Sequence, residues 1–134
     1  MGHDYHAIAR TFIESIPSGK LRTDLIGDGF TAWSTGSGEM PGDRLAGGVA
    51  VLATVFASPL QIEIGAITVE GDRAIVEARS HGPLVDGNTY SNTYVFVLHV
   101  ADGKILRFEE HNNPVEVREK LGPLMKAAIE KMKA

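Results

Sequence analysis

Glu110 is the residue of this 134-residue chain whose surroundings most suggest chemistry. Two Asp-Gly pairs define those surroundings. Asp86-Gly87 separates the apolar-rich runs 73–85 and 88–100, and Asp102-Gly103 separates the second run from 104–113. Asp-Gly between such runs is a strong hairpin signal, because a type I′ turn needs positive φ at both central residues. Two-residue turns at both places give a three-strand antiparallel meander of defined register. Ala78, Val95 and Glu110 then lie side by side, as do Val76, Val97 and Phe108, and Ser80, Thr93 and Asn112. That face is apolar in the middle and polar at one end, and Glu110 is its lone carboxylate. A buried carboxyl group without a charge partner has a raised pKa, which suits a general acid or base. The structural alternative is one β-bulge within 104–113, which would turn Glu110 outward and Glu109 inward.

The opposite face carries Arg79, Tyr94 and His111 in one row, Glu77, Phe96 and Glu109 in the next, and His81, Asn92 and Asn113 in a third. It is expected to be solvated or used for association. A histidine with two amides can bind or polarise a carbonyl oxygen. The simpler reading makes Asn113 a helix cap and His81 a partly exposed strand residue. His3 and His6 are spaced for one helix face near the N-terminus. No set of His and carboxylate residues has a recognisable metal spacing, so no metal site is expected. There is no G-x-S-x-G, no P-loop and no dinucleotide fingerprint, and Gly36-x-Gly38 precedes no clear helix start. No cofactor is expected.

Composition narrows the class. The length suits one domain, residues 1–134, with a single core. A net charge of −4 argues against a nucleic-acid surface, which needs clustered Lys and Arg. No apolar run is long enough to span a bilayer. The first residues lack the basic and apolar regions of a signal peptide, and His6 stands where a myristoylation motif wants Ser or Thr. With no cysteine, disulfides, thiol catalysis and Cys-ligated zinc are excluded. The expected location is the cytoplasm.

The elements that must position Glu110 follow from periodicity. Residues 4–16 read as a helix capped by Asp4, with Tyr5, Ile8, Phe12 and Ile16 at helical spacing. Pro17, Ser18 and Gly19 end it. A short second helix is expected over 20–26 and a strand with Trp33, the sole tryptophan, over 30–34. Residues 35–42 read as a loop. A third helix over 43–57, capped by Asp43, presents Leu45, Val49, Leu52 and Phe56 and is apolar on most sides. Residues 60–69 form a β-branched strand whose register is open. After the meander, Asn113-Pro114-Val115-Glu116 is a helix start, and Gly122-Pro123 must kink or split that helix. The order predicts an α+β fold with helices packed on one curved antiparallel sheet.

The run from Gly87 to Val97, then Asp102-Gly103-Lys104-Ile105 and Glu109-Glu110-His111-Asn112-Asn113, resembles the C-terminal half of SnoaL-like proteins. These belong to the nuclear-transport-factor-2-like superfamily, with ketosteroid isomerases, limonene epoxide hydrolases and polyketide cyclases. The helix ending at Gly19-Lys20-Leu21 and the strand with Trp33 fit the N-terminal half. The resemblance implies a cone-shaped curved sheet wrapped by N-terminal helices around an apolar pocket, in a homodimer packed through the outer sheet face. Where ketosteroid isomerases place a tyrosine, an aspartate base and a protonated aspartate, this chain has Phe12, Trp33-Ser34-Thr35, and Val95 or a neighbour. Where related SnoaL-like proteins read Glu-Tyr-x-Asp, it keeps Glu110 but has an amide, Asn113, which cannot take a proton.

The expected function is therefore a cofactor-free isomerase, cyclase or hydratase acting on an apolar carbonyl or polycyclic compound. Glu110 moves the proton, and Phe12, Trp33, Phe56, Val95 and Phe108 wall the pocket. Ser80, Thr93, Asn112, His81, Asn92 and Asn113 are its polar partners. The alternative is a non-catalytic module that binds a small hydrophobic ligand, or a dimeric structural subunit.

Overall fold

A computed structural model describes residues 4–133; His3 lies outside them. Helix α1 (Tyr5–Ser15) starts as its sequence requires, with the Ala7 amide donating to the Asp4 carboxylate at 3.1 Å. It buries Ala9, Phe12 and Ile13. A 3₁₀ turn at Ile16–Ser18 ends on Gly19, whose φ of 77° suits glycine alone without cost.

The helix expected over 20–26 is only a 3₁₀ turn, Thr23–Leu25. So short a segment cannot offset the cost of helix nucleation, and Ile26 pairs with Ile105 instead. Strand β1 (Ile26–Ser34) thus begins earlier than expected. The expected loop over 35–42 holds a short edge strand, β2 (Gly38–Pro41), antiparallel to β1. Helix α2 (Gly42–Thr54) starts one residue before Asp43, with Pro41 at its cap position and no side-chain cap. The remaining strands are β3 (Gln61–Glu70), β4 (Arg73–Pro83), β5 (Thr89–Ala101) and β6 (Lys104–His111).

All six strands form one sheet in the order β2-β1-β6-β5-β4-β3, with β1 parallel to β6 and every other pair antiparallel. The sheet is curved and carries the helices on one face, an α+β architecture. Past β6, the Val115 amide donates to Asn113 Oδ1 at 3.0 Å and opens α3 (Pro114–Glu116). Pro123 then forces the expected break: a π-helical turn, Val117–Leu121, precedes α4 (Gly122–Lys133). Among the described residues no helix is long and apolar enough to cross a membrane.

The meander corrects the expected register at two points. Asp102 and Gly103 have φ of 51° and 78°, so this turn is the expected type I′ hairpin. The other turn is longer by one residue. Leu84 pairs with Asn88, the Gly87 amide donates to the Leu84 carbonyl at 3.1 Å, and only Gly87 has positive φ. A type I turn followed by a left-handed glycine replaces type I′. The second correction lies in β6. Val100 pairs with Ile105 but His99 pairs with Arg107, so Leu106 is an extra, bulged residue. Each correction shifts β5 by one position. Tyr94 and Phe96, not Val95 and Val97, therefore face inward beside Ala78, Val76, Phe108 and Glu110. Between β4 and β6 the two shifts add to two residues, so Val76 rather than Ala78 shares a row with Glu110, and both strands keep their expected faces.

The core beneath α1 is aromatic. Phe108 stacks on Phe96 at 5.4 Å between ring centroids and meets Phe12 edge-on at 5.4 Å. A second cluster gathers Val55, Phe56, Leu60, Leu84, Tyr90 and Leu121 at the other end of the sheet. Between the clusters the inner face is not filled.

Candidate active site

That gap is a cavity of about 450 Å³, within the range of small-molecule sites. The sheet supplies Ile62, Tyr90, Tyr94, Phe96 and Glu110, α2 supplies Arg44, Leu45, Gly48, Val49 and Leu52, and the C-terminal helical segments supply Val117, Leu121, Met125 and Ile129. Ser34, Gly36 and Ser37 of the β1–β2 turn, with Asn112, complete the wall.

Glu110 faces this cavity, as the sequence suggested. Its one hydrogen bond from a side chain comes from Asn112 Nδ2 to Oε2, at 2.7 Å. Burial pushes its pKa above the ordinary carboxylate value, and only the Asn112 bond opposes that. Among the described residues no cation pairs with it. Its backbone is fixed from β1: the Thr35 amide donates to the Glu110 carbonyl at 3.1 Å, and the Asn112 amide donates to Thr35 Oγ1 at 3.1 Å. Asn112 Oδ1 is buried without a hydrogen-bond partner.

Beside the carboxyl group runs a chain of buried polar groups that sequence reasoning missed. Ser80 Oγ lies 2.7 Å from the Tyr94 hydroxyl, which lies 3.2 Å from the Tyr90 hydroxyl. Asn92 Nδ2 donates to the Tyr90 oxygen at 2.8 Å and to the Asn113 carbonyl at 3.1 Å. Burial raises both tyrosine pKa values, and the charge of Glu110 would raise them further, so both hydroxyls keep their protons. The chain can run in either direction. If Tyr90 donates to Tyr94 and Tyr94 to Ser80, the last proton ends at Ser80, away from the cavity. In the reverse direction Tyr90 accepts two hydrogen bonds and its own proton is free at the cavity wall. Accepting two bonds polarises that O–H and makes it a stronger donor.

The other expected site residues divide. Asn112 lines the cavity. Asn92 and Asn113 do meet, since Asn92 Oδ1 accepts the Asn113 amide at 2.9 Å, but His81 is exposed on the outer face. Ser80 is buried and reaches the site only through Tyr94. Phe12 and Phe108 lie in the aromatic core, and Phe56 lies in the second cluster against Tyr90. Thr93 and Val95 face outward because β5 is shifted; Val95 is 41% exposed. Trp33 also faces outward. Strand β1 buries Phe30 and Ala32, so the residue between them and the one after lie on the other side, where Trp33 packs against His111 with ring centroids 4.8 Å apart and the planes tilted by 45°. There Arg107 bridges Glu39 and Glu109, and its guanidinium holds the Glu109 carboxyl below the usual range. Among the described residues no group of His, Asp and Glu is placed to hold a metal ion.

Solved structures share this fold. AclR from Streptomyces galilaeus, described as a candidate hydroxylase, superposes with a TM-score of 0.73 at 17% identity, over 87% of this chain and 83% of its own. A nuclear-transport-factor-2-like protein from Anabaena variabilis gives 0.71 at 21% identity, over 84% and 94%. A candidate SnoaL-like polyketide cyclase from Jannaschia gives 0.67 at 20% identity, over 87% and 94%. No curated protein matches the sequence. Residues 20–108, well over half of the chain, match the SnoaL-like domain, and the protein belongs to the SnoaL-like family, with the nuclear-transport-factor-2-like fold.

Proposed function

We propose that this protein is a cofactor-free acid–base catalyst acting on an apolar, carbonyl-bearing molecule held in the cavity. The observation that carries this reading is the lone carboxyl group of Glu110, set in a largely apolar wall and paired with no cation among the described residues. A carboxyl group with a pKa moved toward neutrality can both give and take a proton near physiological pH. Tyr90 is the group that donates to the substrate oxygen, with the hydroxyl chain running from Ser80 through Tyr94, the direction that leaves the Tyr90 proton free at the same wall. As negative charge develops on that oxygen, a polarised donor in a water-poor site stabilises it more than the neutral carbonyl. Isomerisation, cyclisation and hydration each need such a proton transfer beside a carbonyl. The same reading has the protein work as a homodimer packed through the outer sheet face, where Val95 and Leu106 are exposed.

A non-catalytic holder of the same ligands is the second reading. It is favoured by Asn113, whose side chain is committed to the α3 cap and which supplies no proton. One experiment separates the two. The Glu110 side-chain pKa is measured by carbon-detected NMR, with E110Q as assignment control, and the protein is then screened against apolar enones and β-keto esters. A pKa raised above that of a free glutamate, with turnover lost in E110Q, is the expected result. A pKa near 4.3, the value of a free glutamate, would remove the physical basis for catalysis.

A further inference from the structure

Among the described residues, the cavity wall carries one cation, Arg44, and no carboxylate forms an ion pair with it. Arg10, Arg22, Arg79 and Arg107 each hold a carboxylate; Arg44, Arg73 and Arg118 have no carboxylate partner among the described residues, and of these three Arg44 lines the cavity. It does not serve Glu110, with which it makes no ion pair. Nor does it serve its own helix. Arg44 sits in the first turn of α2, where the helix dipole disfavours a cation. The side chain is exposed, so it stands where the cavity opens to solvent. Nearby on the same wall, Ser34 Oγ accepts the Ser37 amide at 3.2 Å, which leaves the Ser34 hydroxyl proton free to donate. The apolar lining of the cavity includes Leu45, Val49 and Leu52 of α2 and Phe96 of β5.

Resting on the reading of this cavity as a substrate site, we propose that it selects amphiphilic carboxylates, with the anionic head on Arg44 and the apolar body along α2 toward Glu110. A guanidinium takes a carboxylate through two parallel hydrogen bonds, a geometry that neither an alcohol nor an ester can use. Burial disfavours a charge on Glu110, so it repels such a ligand less than an exposed carboxylate would. The protein's net charge of −4 repels anions overall, so affinity for one reports a local site.

The test uses the full chain and three probes of one body: decanoate, methyl decanoate and decan-1-ol, titrated by calorimetry at neutral pH. Decanoate is expected to bind about tenfold or more tightly than the other two. In R44Q that preference disappears while affinity for decan-1-ol is unchanged. R44K, which keeps the charge but loses the paired geometry, falls between. Equal affinity for the three probes, a preference that survives in R44Q, or no decanoate binding up to about 1 mM would each overturn the proposal. E110Q is expected to keep the decanoate preference. Absence of a carboxylate preference in the parent protein thus defeats the Arg44 proposal alone, and an ordinary Glu110 pKa defeats the acid–base reading alone.

Discussion

A carboxyl group whose proton affinity rises on folding ties stability to pH. The folded state binds the Glu110 proton more tightly than the unfolded chain does. Its stabilising contribution is therefore complete below the unfolded pKa, about 4.3, and is lost as pH rises through the folded value. E110Q removes this dependence. At pH 7 the variant should be the more stable protein, by about 1.4 kcal/mol for each tenfold gain in proton affinity. Below about pH 4 the difference should vanish. Urea unfolding at both pH values measures it, and equal stability at pH 7 would contradict the burial argument. Y90F tests the neighbouring donor. It removes a hydroxyl that accepts from Asn92, so it should cost about 1–2 kcal/mol of stability. On the proposed mechanism it should also lower kcat by about 100-fold and KM little. Glu110 was legible in the sequence as a charge among apolar neighbours. Tyr90 and Tyr94 were not, because their face depends on a strand register that turn residues alone assigned wrongly.

At the scale of the element, β5 holds the lesson. Its even positions read Tyr90, Asn92, Tyr94, Phe96, Leu98 and Val100, and its odd positions read Thr89, Ser91, Thr93, Val95, Val97 and His99. The larger and more aromatic set belongs inside, and the structure buries every even position. That alternation was stronger evidence for facing than turn length, since one added residue in a loop or ladder reverses every side chain. The helices were more legible. Asp4 and Asn113 cap as expected, because a cap needs only local geometry. The strand β2 left no comparable signal: its four residues are held by pairing with β1 and by Arg107 reaching Glu39. R107A should free that edge and unpair Glu109, at a cost of about 1 kcal/mol at neutral pH. Part of that cost should disappear in acid, because Glu109 contributes above its unfolded pKa and loses its contribution as pH falls through the folded one. In the turn before β6, G103A would place an alanine at φ of 78°. A loss of about 1–2 kcal/mol is expected in equilibrium unfolding, with no change in the cavity.

At the scale of the whole molecule, one sheet face is used up and the other is open. The inner face holds the core, the hydroxyl chain and Glu110. The outer face presents Trp33, Val95 and Leu106 around the ion pairs of Arg107. If two copies meet there, V95R should give a monomer in sedimentation velocity at concentrations where the parent is a dimer. The fold itself should be unaffected, since Val95 is exposed in the single chain. A parent that sediments as a monomer would remove the proposed dimer.

The bulge at Leu106 has a consequence for changes in chain length. Its neighbours Ile105 and Arg107 already pair with Val100 and His99. Deleting Leu106 would leave every partner in place and restore a regular ladder. A deletion within the strand to either side would instead reverse the residues beyond it. The bulge also bends β6 four residues before Glu110, and its removal would flatten that bend. Here a single deletion would change the shape of the binding space without replacing any side chain that lines it.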